Sequence, residues 1–449
     1  MCGKALADRW EIATMRWPGP ALLALALFAS SALAQQADLD SQLEQENMRL
    51  RLDPNDIVAH QRRASIWFRK GDNKKAITDL DEVIRLMPRH AQSYNNRATA
   101  YLRMEELDKA VADYSRSIEL GYARAYGGRA AAYTRMNKYD LAFADLDKAL
   151  RANPDDADAI GNRAMAFAQQ RQFDRAFPDY DRAIELSPNN AVFYEGRGDA
   201  RFRVNQPDRA IADLSKAVDL DPGNIQAYFT RGKAYAQLNR QDEAIADFNR
   251  AIELIGNRRV KGHAIIYVAR ANAYAFSGHS EAAIADFDKA VEIDPGTAMA
   301  FSGRGTIYAT LKQFDRALAD MDKAVFLDPN DADIYNSRGT VLFLLGQSDK
   351  AIADLDKAID LNPKQFKAHV NRGAVYATKG RLDEAIADYN EAEKLRPTDP
   401  EPFYRRGLAY RQKGEIAKAR ADLKKALRLM PHFPEAKQAL EDLKSGNRK

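Results

Sequence analysis

From Ile57 onward the chain repeats every 34 residues. Pro88, Pro154, Pro188, Pro222, Pro295, Pro329, Pro363, Pro397 and Pro431 close successive units and set the register. A period of this size is the mark of a solenoid, because each unit buries its apolar face only against its neighbour. The 449 residues would otherwise suggest about three globular domains. They read instead as one array of eleven units over residues 57–433, with 434–449 as a terminal cap and tail. Two intervals depart from the period. The turn around Gly121 is two residues short, and the segment from Gly256 to Ala264 carries five extra. Both changes fall between units, where a loop absorbs them.

Within a unit the pattern is that of two antiparallel helices. Position 8 is always Ala or Gly (Ala64, Ala98 and Gly232 among them), and position 20 is Ala throughout. Small residues there let the helices cross closely, while Tyr, Phe and Leu at positions 4, 11 and 24 fill the space beside them. Ala436, Ala439, Leu440 and Leu443 share one face of the last segment, as a terminal cap requires. Residues 35–56 read as a lone second helix of a degenerate half unit. The predicted fold class is all-α.

These residues resemble the tetratricopeptide repeat family. Its signature of aromatic, small residue, aromatic, Ala, bulky residue and Pro at fixed spacing is met by Phe301, Gly305, Tyr308, Ala317, Met321 and Pro329 in the unit opening at Ala298. The resemblance covers residues 57–433. It implies a right-handed superhelical α-solenoid of helix-turn-helix repeats that binds protein or peptide segments, without chemistry or a cofactor of its own.

Position 7, usually leucine in that family, is here Arg63, Arg97, Arg129, Arg163, Arg197, Arg231, Arg270, Arg304, Arg338, Arg372 and Arg406. Position 23 is Asp79, Asp113, Asp145, Asp179, Asp213, Asp247, Asp286, Asp320, Asp354, Asp388 and Asp422. In an antiparallel hairpin the two positions lie at about the same height. The spacing therefore predicts a structural ladder of guanidinium–carboxylate pairs within or between repeats. The functional alternative, a row of anion-binding arginines, is disfavoured because each has a carboxylate to neutralise it.

The resemblance further implies that positions 2, 5, 9, 12 and 13 of the first helices face a ligand. Position 13 is Arg69, Arg103, Arg135, Gln169 and Arg203 in the first five repeats, then Gln237, Phe276, Thr310, Leu344, Thr378 and Gln412. A groove that starts basic and turns neutral to apolar, with Val370, Tyr404, Leu408, Phe343 and Leu344 contributing, suits a peptide with an acidic stretch followed by an apolar one. No lysine stands at position 5, which argues against the carboxylate clamp of chaperone-binding relatives. An asparagine ladder at position 6 is confined to Asn96, Asn162 and Asn371. The extra residues Asn257 to His263 read as a solvated basic loop.

The first 34 residues differ from the rest. Lys4, Arg9 and Arg16 precede the apolar run ALLALALFASSALA, which ends in Ala32-Leu33-Ala34. This is the pattern of a cleaved export leader, and the run is short for a span of roughly 20 residues. Residues 1–34 are therefore expected to be a signal peptide, with Met15 an alternative start, and the rest periplasmic or otherwise exported without a transmembrane anchor. The single cysteine, Cys2, lies in the leader, so the remainder can form no disulfide. With 68 basic and 64 acidic residues, no overall attraction for nucleic acid is indicated.

Enzyme readings find no foothold. The six histidines lack ligand spacing, and no phosphate-binding loop, nucleophile elbow or HExxH is present. The sequence points to an exported scaffold or adaptor with protein partners. The rival is a carbohydrate-binding or polysaccharide-export subunit, for which Phe202, Phe229, Phe276, Phe343 and Tyr404 would have to serve as stacking platforms.

Overall fold

The computed structural model describes residues 37–256 and 260–444. The leader expected over residues 1–34 and Asn257 to Arg259 of the basic insertion lie outside them. Every regular element among the described residues is helical. A helix over residues 37–52 precedes eleven helical hairpins, and Pro434–Lys444 follows them. The chain forms two compact units, one ending at Arg197 and the other beginning at Gly198.

Local chemistry explains the hairpin boundaries. Nine of the eleven repeats close on a Pro-containing turn, which cannot continue a helix, and several next helices open on a carboxylate or amide cap. Asp56 accepts from the Ala59 amide at 3.0 Å, and Asp156 accepts from the amides of Asp158 and Ala159 at 3.1 Å each. These caps satisfy donors that have no partner inside the helix. The deletion around Gly121 is absorbed partly by the following helix. It starts late, at Ala125–Arg135, where other first helices such as Ala157–Gln169 have two more residues.

The turn between the two helices of a hairpin is stricter. Position 15 is left-handed in all eleven repeats, with φ from 59° to 82°. Gly71, Gly278, Gly346, Gly380 and Gly414 adopt this readily, and Asn137, Asn205 and Asn239 tolerate it. Glu105, Arg171 and Lys312 are held there at φ of 60°, 61° and 59°. They pay the steric cost of a Cβ in that region.

The core is a stack of small cross-repeat clusters. Position 24 supplies its largest fully buried side chains, such as Tyr114, Phe248, Phe287 and Tyr389. Their size is met by glycine at defined places. A Cβ on Gly232 would come within 2.6 Å of the Phe248 ring in the same repeat, and one on Gly303 within 2.3 Å of Phe287 in the preceding repeat. Aromatic bulk on one helix thus demands missing bulk on the next.

Replacing Lys312 with glycine should raise stability by about 0.5–1 kcal/mol, because the left-handed penalty for an L side chain exceeds glycine's extra chain entropy. A thermal midpoint that falls or does not move would contradict this.

Candidate functional site

The ladder residues must be placed first, because they are the most numerous cations on the first helices. In ten repeats the position 7 guanidinium forks onto the position 23 carboxylate of its own repeat through Nε and Nη2. Arg97–Asp113 is typical at 2.7 and 2.8 Å, and Arg129–Asp145 measures 2.6 and 2.8 Å. The remaining pairs are Arg63–Asp79, Arg163–Asp179, Arg231–Asp247, Arg270–Asp286, Arg304–Asp320, Arg338–Asp354, Arg372–Asp388 and Arg406–Asp422. In the fifth repeat Arg197 belongs to one unit and Asp213 to the other. Arg197 donates to Asp181 at 2.5 Å, and Asp213 accepts from Arg201 at 2.7 Å. The fork is the strong, bidentate form of this hydrogen bond. The aspartates are nearly sequestered, with Asp79 only 1% exposed.

The third guanidinium nitrogen does a second job. Nη1 reaches back to position 25 of the preceding repeat: Arg97 to Asp81 at 2.6 Å, Arg129 to Ser115 at 2.8 Å, Arg231 to Ser215 at 3.1 Å, Arg372 to Asp356 at 2.6 Å and Arg406 to Asn390 at 2.6 Å. Arg63 finds Asn47 on the leading helix at 2.9 Å. In the eleventh repeat position 25 is Lys424, which is exposed. The arginine also lies near the position 4 ring, as for Arg129 and Tyr126 at 5.7 Å and Arg304 and Phe301 at 5.5 Å. An arginine held on three sides is a lattice element, not a waiting anion site.

Two repeats replace the position 4 ring by histidine. His369 Nδ1 lies 3.3 Å from Asp388 and Nε2 lies 3.1 Å from the Pro363 carbonyl; His60 meets Asp79 at 2.9 Å and the Pro54 carbonyl at 3.0 Å. At His369 both partners accept, so only the doubly protonated ring satisfies both. The hydrogen bond to Asp388 accordingly holds the His369 pKa above its ordinary value of 6.5, against the opposing effect of burial.

The face left for a ligand is that of the first helices. Position 13 is exposed in all eleven repeats. Arg103 lies 5.4 Å from the Phe68 ring centroid. Arg69 donates to Gln42 at 3.3 Å, Arg135 is tied to Glu105 at 2.6 Å and to the Leu102 carbonyl at 3.0 Å, and Arg203 is exposed. The basic row is thus partly engaged with the turn of the preceding repeat. Position 5 does not fit the expected lining: Gly127, Gly161, Phe229, Val268, Asn336 and Val370 are buried, because there the helix faces the next repeat. Asn162 is spent on the Gly127 carbonyl at 3.1 Å, and Asn96 accepts from Asn95 at 3.4 Å.

Aromatic residues are similarly redistributed. Phe202 and Phe229 lie 4.8 and 4.9 Å from the Lys233 ammonium. Burial pushes the Lys233 pKa down and that of nearby Asp199 up. Phe276 and Leu344 are open to solvent. The Tyr404 ring packs 4.8 Å from Phe433, beside the start of the terminal helix, and lines a small hollow there. No continuous row of stacking platforms results among the described residues.

A cleft of about 1080 Å³ lies near the end of the second unit. Phe343, Ala374, Ala377, Leu408 and Leu443 give it an apolar lining; Arg405, Arg411, Lys413 and Asp442 give it charge. The sequence pattern had suggested a neutral to apolar end, and the cations at positions 6 and 12 of the last repeat correct that. Among the described residues no group of three or more histidine, cysteine, aspartate or glutamate side chains could hold a metal, and no helix is long and apolar enough to cross a membrane.

Stacked helical hairpins with a repeat-wide charge ladder define an α-solenoid of the protein-interaction class. Models of the tetratricopeptide repeat match residues 63–128, 123–156, 157–190, 196–258, 268–332, 305–372 and 400–433, and a TPR repeat model matches 375–411; the chain belongs to the tetratricopeptide repeat family. Among solved structures, it is similar to a chain of the APC/C hetero-tetramer Cut9-Hcn1, with 17% identity, 93% of this chain and 95% of that one covered and a TM-score of 0.52. YrrB, described as a TPR protein with an unusual peptide-binding site, is 31% identical over 43% of this chain and 97% of its own, with a TM-score of 0.35. Yeast Tom70 is 19% identical over 87% and 95%, with a TM-score of 0.41.

Asp145→Ala should cost about 3–5 kcal/mol, chiefly by stranding Arg129, whereas replacing both partners with leucine should restore most of the loss. Equal denaturation midpoints for the wild type and Asp145→Ala would refute the structural ladder. The His369 contribution has a defined sign. Because the folded pKa is raised, the stabilisation is complete below 6.5 and is lost as pH rises through the folded value. The thermal midpoint of the wild type, followed from about pH 5.5 to 8.5, should therefore fall relative to that of His369→Phe. Parallel curves would remove the imidazolium from this role.

Proposed function

We propose that this protein is an exported, periplasmic adaptor that holds an extended peptide segment of a partner protein along its first-helix face. The observation that carries this reading is the uniform exposure of position 13, with its change from Arg69, Arg103, Arg135 and Arg203 to Gln237, Phe276, Thr310, Leu344, Thr378 and Gln412. A row that is exposed in every repeat yet changes chemistry along the chain serves recognition better than folding. Fold-level similarity supplies the class, and the side chains supply the specificity. The basic section suits acidic residues and the later section suits neutral or apolar ones. The leader pattern at residues 1–34 supports export.

Adaptor function here means bringing two proteins together without chemistry at the face itself. The arginines of the ladder are unavailable for this purpose, since their donors are used within and between repeats. The solvated row and the cleft are what remain.

Residues 35–449, immobilised and exposed to envelope extract, should capture a partner that is lost when Arg69, Arg103, Arg135 and Arg203 are all replaced by glutamate. Circular dichroism would verify that the variant keeps its helices. Identical capture by the two proteins would remove the basic row from recognition.

A further inference from the structure

The cleft near the end of the second unit contains one cation unlike its neighbours. Arg405 is spent on Glu401 at 2.7–2.8 Å, and Lys413 is held by Asp383 and Glu415. Among the described residues Arg411 has one ion-pair neighbour, Asp442, at 3.7 Å, beyond hydrogen-bond reach. Its side chain is only 28% exposed. This half-buried side chain, with no carboxylate of the described residues at bonding distance, sits at the edge of an apolar lining formed by Phe343, Leu408 and Leu443. Arg411 also borders a second, smaller hollow beside the terminal helix, so both of its sides are accessible.

Sequence context strengthens the contrast. Position 12 is elsewhere apolar or small, as in Phe68, Leu102, Ala168, Ala309, Phe343 and Ala377, and arginine enters it only in the last repeat. The ladder does not require it, because Arg406 already occupies position 7 and is fully engaged by Asp422, Asn390 and Glu393.

We propose that this cleft is a docking site for a partner peptide that sets one aromatic or large aliphatic side chain on the Phe343–Leu408 lining and one carboxylate on Arg411. The proposal rests on the peptide-adaptor reading above and narrows it: the ligand here is a single apolar anchor next to a single acid, not an acidic run. The volume, about 1080 Å³, slightly exceeds the roughly 300–1,000 Å³ of pockets that take drug-sized ligands, enough for the anchor and its flanking backbone. Tyr389 also lines the cleft, and burial pushes its phenol up to about 12, so it stays protonated and able to donate. The carboxylate would replace water on Arg411 with a bidentate, charge-assisted bond over an apolar surface.

The test uses the full chain and a fluorescein-labelled hexapeptide, Gly-Ser-Phe-Glu-Ser-Gly, read by fluorescence anisotropy. Two control peptides replace the Phe by Ala or the Glu by Gln. Each control should bind roughly tenfold more weakly than the parent, as expected for losing an apolar anchor or a charged hydrogen bond. Arg411→Gln should weaken the parent peptide to the level of the Gln control while leaving the Gln control itself unchanged, with the thermal midpoint unaltered. Leu408→Asp, with its helical content verified, should abolish binding of all three.

Parent binding that is indifferent to Arg411→Gln would overturn the proposal, as would no binding to the wild type at about 1 mM peptide. The four-glutamate variant separates this result from the broader reading. It should bind the hexapeptide like the wild type, since its substitutions lie outside the cleft. If it captures partners normally while Arg411→Gln loses the hexapeptide, the basic row fails and the cleft stands.

Discussion

A buried carboxylate on the second helix of each hairpin sets the terms for the rest of the molecule. Asp79, Asp145 and Asp388 lie where water hardly reaches, and an unpaired charge there would be costly. The position 7 arginine answers this with a fork of two hydrogen bonds. Geometry leaves its third nitrogen aimed at the preceding repeat, so the neutralisation of one hairpin also ties it to another. Apolar packing drives the stack, but it is tolerant of sliding. A bidentate fork with a third attachment is not, and it specifies which surface of one hairpin meets the next.

That commitment shapes what remains for recognition. The position 7 cations are consumed by the architecture, so the binding chemistry falls to positions that the repeat does not use: the solvated ends of the first helices and the cleft bounded by Phe343, Leu408 and Arg411. Structural charge is uniform along the array, and recognition charge is not. The same residue type therefore plays two roles that differ by a few ångströms of placement. Arg406 is locked between two second helices, while its neighbour Arg411, five residues later, faces a hollow.

The period, the helix pairing and the partnership of positions 7 and 23 could be read directly, because they recur eleven times. Position 25 was equally periodic but chemically mixed, as Asp81, Ser115 and Asn390, so its shared role as acceptor was hidden by changing residue names. Position 5 looked available for a ligand but is turned toward the next repeat, and exposure of that kind depends on inter-repeat rotation, which no local pattern encodes. The contact of Tyr404 with Phe433 was not legible, because Phe433 comes from the terminal segment, outside the repeat. His60 and His369 broke the aromatic rule at position 4 visibly. Their meaning needed the proline carbonyl of the preceding turn, a contact that hydrophobic periodicity does not report. The left-handed residue at position 15 was partly visible, since glycine and asparagine occupy eight of its eleven places.

Lys424 carries a consequence for ancestry. Any hairpin appended after the last one would bring an arginine seeking an acceptor and meet an ammonium instead. Duplication of an internal hairpin brings its own donor and acceptor together and leaves both termini intact.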